Sequence, residues 1–92
     1  MGLTVDDVTS ALANHLGLNV TEGIVITRLS SRGPAFNAGL QVGDVIISMD
    51  GIPIVDSGSF LTMLWTYEVD DTVHIEFVRD NKTFETLSLI HI

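Results

Sequence analysis

Cysteine is absent from the 92 residues. That removes disulfide bridges and thiolate metal ligands from the available chemistry and leaves the redox compartment open. Basic residues are nearly absent too: four Lys and Arg stand against twelve Asp and Glu, a formal net charge of −8. Such a field repels phosphate backbones, so no nucleic-acid partner is expected. No apolar run is long enough to span a bilayer, and the opening Met1-Gly2-Leu3 lacks the basic segment and apolar stretch of a secretion signal. An apolar fraction of 46% with only 17% charged residues excludes a disordered chain. What remains is one domain over residues 1–92, long enough to own a core but small enough that the core is marginal.

Motifs of catalysis are missing as well. There is no Gly-x-Ser-x-Gly elbow, no Gly-Asp-Ser-Gly-Gly stretch, no His-Glu-x-x-His and no calcium-loop spacing. His15, His74 and His91 do not cluster. No catalytic residue, metal ligand or cofactor is therefore assigned. Gly58-Ser59 falls at an expected helix start, where Ser59 supplies polarity to the first turn. Asp44 and Asp50 flank one strand and read as turn residues.

The chain that is present alternates strand and helix signals. Leu3 to Val5 suits a short strand entered through a glycine. Asp6 and Asp7 precede Val8, Ala11, Leu12 and Leu16, which are spaced for a helix that Asp6 caps and Gly17 ends. Gly23 to Leu29 is a branched, β-prone run. Gly33-Pro34 closes that strand, one helical turn covers Ala35 to Ala38, Gly39 fits a left-handed cap, and Gly43 a second reversal before the buried strand Val45 to Met49. Asp50-Gly51 is a tight turn, and Ile52-Pro53-Ile54 can form only a short edge because Pro53 donates no ladder bond. Asp56 or Ser57 caps a second helix from Gly58 to Tyr67. Val73 to Phe77 alternates, with Val73, Ile75 and Phe77 facing in. Asp80-Asn81 turns the chain into a final strand, Thr83 to Ile92. This order predicts an α+β fold, a five- to six-stranded partly open β-barrel or sandwich capped by two α-helices.

The stretch Pro34-Ala35-x-x-Ala38-Gly39-Leu40-x-x-Gly43-Asp44-Val45-Ile46 resembles the core signature of PDZ domains, most closely the modules carried by HtrA-type serine proteases. The resemblance covers essentially the whole chain. It implies the circularly permuted bacterial form of the fold, a domain cut from a longer protein in which Met1 is not the native start. It also implies a non-catalytic peptide-binding module serving an HtrA-like serine endopeptidase, in the periplasm or cell envelope. The partners implied are protein or peptide C-termini with an apolar last residue, and the protease domain of the parent chain. Alternatives are a PDZ module of another membrane or processing protease, a secretion component, an assembly-only domain with its groove closed, or an enzyme with an unrecognised site.

In this family a peptide C-terminus adds as an extra strand beside a helix, the handling of extended ligands for which PDZ domains are a standard example. The family's carboxylate-binding loop falls on Met1-Gly2-Leu3, the groove strand on Leu3-Thr4-Val5, and the groove-facing helix positions on Ser59, Met63 and Thr66. Phe60 and Leu64 then face the core. Convergent backbone amides, not net charge, would hold the carboxylate. Two or three such bonds and one buried side chain suggest micromolar affinity, about −8 kcal/mol. Many PDZ domains that select a hydroxyl residue have histidine where Ser59 stands, so selection here is expected to rest on an apolar last residue against Leu3 and Met63. Met63 suits groove or core equally. Many PDZ domains place a basic residue before the loop; Arg28 or Arg32 is an alternative source of it here, but both read first as solvated surface residues.

Overall fold

The computed structural model describes residues 2–17, 22–68 and 70–89. Among these residues six strands form one antiparallel sheet: β1 (Leu3–Asp7), β2 (Ile24–Leu29), β3 (Val45–Met49), β4 (Ile52–Pro53), β5 (Thr72–Arg79) and β6 (Lys82–Leu89). They are ordered β1-β2-β3-β5-β6, with β4 paired to β3. Three helices accompany them: α1 (Ser10–Leu16), the single turn α2 (Pro34–Asn37) and α3 (Ser57–Leu64). The expected α+β architecture is therefore observed. The last three residues of the expected final strand, 90–92, lie outside the described residues, as do Met1 and His91.

The middle strands are buried on both faces, and the sequence shows why. Successive side chains point to opposite faces of a strand. In β2, Ile24 and Ile26 join Ile46, Met49, Phe60, Val73, Ile75 and Phe77 in the main core, while Val25 joins Val8, Ala13, Val45 and Val78 in a second cluster that α1 covers. Val73, Ile75 and Phe77 thus face in as their alternation predicts. Alternation along β3 sends Val45 and Ile46 to opposite clusters, and the register irregularity between Ile46 and Ser48 changes the parity so that Met49 joins Ile46 in the main core.

Start and stop signals carry most of the local structure. After α2, Gly39 adopts φ +91°. Its amide donates to Phe36 O at 3.0 Å, and Leu40 N donates to Ala35 O at 3.2 Å, the paired bonds of a Schellman motif. Leu40 is then buried in the main core. Asp50 and Gly51 both have positive φ, as do Asp80 and Asn81, so both two-residue turns have the form that matches strand twist. Asp80-Asn81 joins β5 to β6 with Arg79 directly opposite Lys82.

One helix signal fails. Asp6 does not cap α1: Asp6 and Asp7 continue β1, opposite Val25 and Ile24, and α1 begins three residues later at Ser10. Ladder pairing with the most β-prone run in the chain outweighs a capping preference worth about 1 kcal/mol. The second helix is also shorter than predicted, ending at Leu64 instead of Tyr67.

Among the described residues Asp44 is the buried charge, 2% exposed. It accepts from Gln41 N at 2.8 Å, from Arg79 Nε at 2.9 Å and from Arg79 Nη2 at 2.7 Å. Arg79 also donates to Gly39 O at 2.8 Å and lies over the Phe77 ring at 5.2 Å. A turn residue is thus also one half of a forked ion pair that ties the glycine-rich stretch to β5. The pair raises the Arg79 pKa further above its ordinary value, chiefly through the Asp44 hydrogen bonds.

Candidate functional site

β1 ends the sheet, and among the described residues only β2 pairs with it. Its ladder parity follows from two flanking bonds. Ser30 N donates to Gly2 O at 2.7 Å, and Val8 N donates to Gly23 O at 3.0 Å. Main-chain groups of the even-numbered residues therefore point at β2, and those of Leu3, Val5 and Asp7 point away from it. The irregularity between Thr4 and Val5 puts the extra residue, Thr27, on β2, so parity along β1 is preserved. Thr27 Oγ1 donates to Thr4 O at 3.2 Å at that point. The result is an unpaired strand edge of alternating donors and acceptors, a template for one more strand.

α3 packs against β1. Leu3, Val5, Leu29, Met63, Leu64 and Tyr67 are all partly buried against the main core. At the far end of the strand, Ser57 N donates to Asp7 Oδ1 at 2.6 Å, joining the start of α3 to the end of β1. At the near end, Gly2 has φ +75°, and a Cβ there would lie 3.1 Å from Gly33 Cα and 3.3 Å from Ser30 Cβ. The glycine is required twice over, by its backbone angle and by the closeness of Gly33. A shallow depression of about 300 Å3 beside it is lined by Gly2, Leu3, Thr4, Arg28, Leu29 and Ser30.

The structure brings Gly2, Leu3, Thr4 and Val5 together on β1 and its entry. Met1 lies outside the described residues. Met63 is half-buried on α3. Ser59 has a fully used hydroxyl: Oγ accepts from Val55 N at 3.1 Å and Asp56 N at 3.2 Å and donates to Asp56 O at 2.9 Å. Ser59 N in turn donates to Asp56 Oδ1 at 2.7 Å, so Ser59 and the N-cap Asp56 form a capping box. No histidine is among its partners. Thr66 is exposed beyond the end of α3, its Oγ1 donating to Met63 O at 2.7 Å. Phe60 is in the core and Leu64 packs on it, as expected, while Leu61 and Trp65 are exposed.

Two constellations were legible in the sequence only in part or not at all. Arg28 stands directly opposite Thr4 and lines the depression beside Gly2. Only the pairing register, which the extra residue Thr27 sets, could have revealed that. Asp50 is more than a turn residue: it accepts from Tyr67 Oη at 2.6 Å and from His74 N at 2.8 Å. The Tyr67 bond, followed by the His74 amide, holds the Asp50 carboxyl below its usual range. Burial first, then Asp50, pushes the Tyr67 phenol above its own. His74 faces out and its Nε2 lies 3.3 Å from a Glu85 carboxylate oxygen. Among the described residues no group of three or more His, Asp or Glu side chains is placed to hold a metal ion.

A free strand edge, a helix closing on it and a positive-φ glycine at its head form one recurrent arrangement, and the family model for the PDZ domain matches residues 1–89. The chain belongs to the PDZ family. Among curated proteins, this PDZ domain is similar to a probable periplasmic serine endoprotease DegP-like of Pseudomonas putida, 35% identical over 89% of the chain and 17% of the relative. A protein of the same description from Rickettsia conorii is 29% identical over 92% of the chain and 17% of the relative. The chain thus spans about one-sixth of the length of these relatives. Among solved structures, the HtrA-type protease AlgW with a decapeptide superposes with a TM-score of 0.88 at 28% identity, covering 98% of the chain and 28% of AlgW. The HtrA3 PDZ domain, bound to a phage-derived ligand, superposes with a TM-score of 0.82 at 24% identity, covering 98% of the chain and 81% of that domain.

Proposed function

We propose that this PDZ domain is a non-catalytic module that binds protein C-termini or unfolded segments by strand addition at β1, and that it serves an HtrA-like serine endopeptidase of the periplasm. The observation that carries the reading is the open edge of Leu3, Val5 and Asp7, headed by Gly2 and flanked by α3. A ligand strand there regains main-chain bonds that β1 leaves to water, and its alternate side chains meet Leu3, Val5 and Met63, which suits an apolar last residue. The Leu3 amide, on the open side of β1 just past the positive-φ turn at Gly2, offers a donor for a terminal carboxylate in a protein of net charge −8. The likeness to AlgW, solved with a decapeptide, supports peptide binding, and the naming of the curated relatives supports the protease context. In that context the module's contribution is a bound segment whose affinity differs between states of the parent protease.

The test is an NMR titration of backbone amides with a peptide ending in a free apolar residue, and with the same peptide amidated. The expected result is shifts at Gly2, Leu3, Thr4 and around Met63 with the free peptide, and at least tenfold weaker binding of the amide. Equal binding of the two, or unshifted Gly2 and Leu3, would end this reading.

A further inference from the structure

Strand addition at β1 fixes which ligand side chains meet which residues of the sheet, and this inference rests on that reading. An antiparallel ligand whose last residue lies beside Leu3 puts its next-to-last residue opposite Thr4, the one before opposite Val5, and the one before that opposite Asp6. Residues directly opposite each other in an antiparallel pair project from the same face. The last and third-from-last side chains therefore fall on the core face with Leu3 and Val5. The next-to-last and fourth-from-last fall on the outer face with Thr4 and Asp6.

The pairing of β1 with β2 extends each row by one residue. Thr4 is opposite Arg28, and Asp6 is opposite Val25, which is buried. Ligand side chain, Thr4 and Arg28 thus stand in line across three strands. The ligand strand and β2 would lie two strand spacings apart, roughly 10 Å. The small side chain of Thr4 leaves that gap open, and an arginine and a glutamate reaching toward each other span it. Arg28 is exposed and, among the described residues, makes no ion pair. It is one of only four basic residues in the chain, and it lines the depression next to the head of the groove. The next outer-face position reverses the charge, because Asp6 is itself exposed and lies directly beside the ligand strand.

We propose that the outer face of β1 and β2 reads ligand charge in register: Arg28 favours an acidic residue immediately before the ligand's last residue, and Asp6 favours a basic residue three places before the last. The signs alternate within a ligand of four residues, so the preference differs from the uniform attraction for cations that a net charge of −8 produces.

The test uses five-residue peptides with a free C-terminal valine and alanine elsewhere, carrying Glu or Lys at the next-to-last place, titrated against the wild-type domain and Arg28→Glu by fluorescence anisotropy. The Glu-to-Lys affinity ratio is expected to fall about five- to tenfold in Arg28→Glu, the scale of reversing a surface ion pair, with Arg28→Gln between the two. The shift should shrink in 0.5 M salt. A second arm places Lys or Glu at the fourth-from-last position against wild type and Asp6→Asn, where the wild-type preference for Lys is expected to diminish. Thermal unfolding of each variant verifies that it folds, and Arg28→Gln and Asp6→Asn keep both arms readable if the charge reversal does not. Ratios unchanged by the Arg28 and Asp6 variants, with peptides still bound, would refute charge reading and leave the groove reading intact. Failure of every free-carboxylate peptide to bind would refute both.

Discussion

Removing either member of the Asp44–Arg79 pair should destabilise the domain, but by different amounts. Asp44 is 2% exposed, whereas the Arg79 side chain is 29% exposed. In Asp44→Asn the new amide oxygen can still accept from Gln41 N, and Arg79 can turn toward water, so the cost is that of weakened hydrogen bonds, about 1–2 kcal/mol. In Arg79→Met the Asp44 carboxylate stays buried with only the Gln41 amide, and Gly39 O loses its donor. Breaking a buried pair this way costs about 3–5 kcal/mol, and the partial exposure of Arg79 argues for the lower end, about 3 kcal/mol. At roughly 4–8 °C per kcal/mol for a domain of this size, the midpoint should fall about 5–15 °C in Asp44→Asn and about 12–24 °C in Arg79→Met. Thermal unfolding followed by circular dichroism measures both. The double variant should cost less than the sum, because the stranded charge is gone. Equal losses, or a larger loss in Asp44→Asn, would show that burial of the carboxylate does not govern the pair.

Gly2→Ala should weaken binding of a free-carboxylate peptide at least tenfold while costing about 1–2 kcal/mol of stability, since a left-handed non-glycine residue must also displace Gly33; titration and thermal unfolding separate the two effects. Ser59→Ala removes the side-chain half of the capping box and should cost about 1 kcal/mol, read as a lower urea midpoint. Tyr67→Phe should cost about 1 kcal/mol at neutral pH by deleting the bond to Asp50. Its pH dependence has a definite sign. The depressed Asp50 pKa contributes stability that is present above the unfolded value near 3.9 and is lost as pH falls through the folded one. The raised Tyr67 pKa contributes stability that is present below the unfolded value near 10 and is lost as pH rises through the folded one. The gap between wild type and Tyr67→Phe should therefore be widest between about pH 5 and 9 and close toward both extremes in a series of urea titrations.

Local chemistry was legible wherever the reason for a residue lies within a few positions of it. Gly39, Asp50-Gly51 and Asp80-Asn81 sit in the turns their types require, and the alternation of Val73 to Phe77 gave the inward face correctly. The candidate strand Leu3-Thr4-Val5 could be placed only through the family resemblance carried by residues 34–46, because a short alternating run specifies no neighbour. What stayed hidden depends on partners far along the chain. Asp6 and Asp7 carry a good helix-start signal that pairing with Val25 and Ile24 overrides. Arg79 lies 35 residues from the aspartate it neutralises, and nothing local marks it as different from a surface arginine. Arg28 stands opposite Thr4, on the outer face, because Thr27 is extra in the ladder. Tyr67 and Asp50, 17 residues apart, meet because the chain turns after α3 beside the β3–β4 reversal.

The bond from Ser57 to Asp7 joins residues 50 apart in sequence at one end of the β1–α3 crevice, while the other end has Gly2 and no comparable tie between strand and helix among the described residues. Two rods pinned at one end separate by splaying, not by moving apart in parallel. Any widening of the crevice is then greatest beside Gly2 and least beside Asp7. A chain end binding as proposed would meet the yielding part first, and each further residue toward Asp7 would have less room. In mechanical terms the crevice is a wedge with its apex at Asp7.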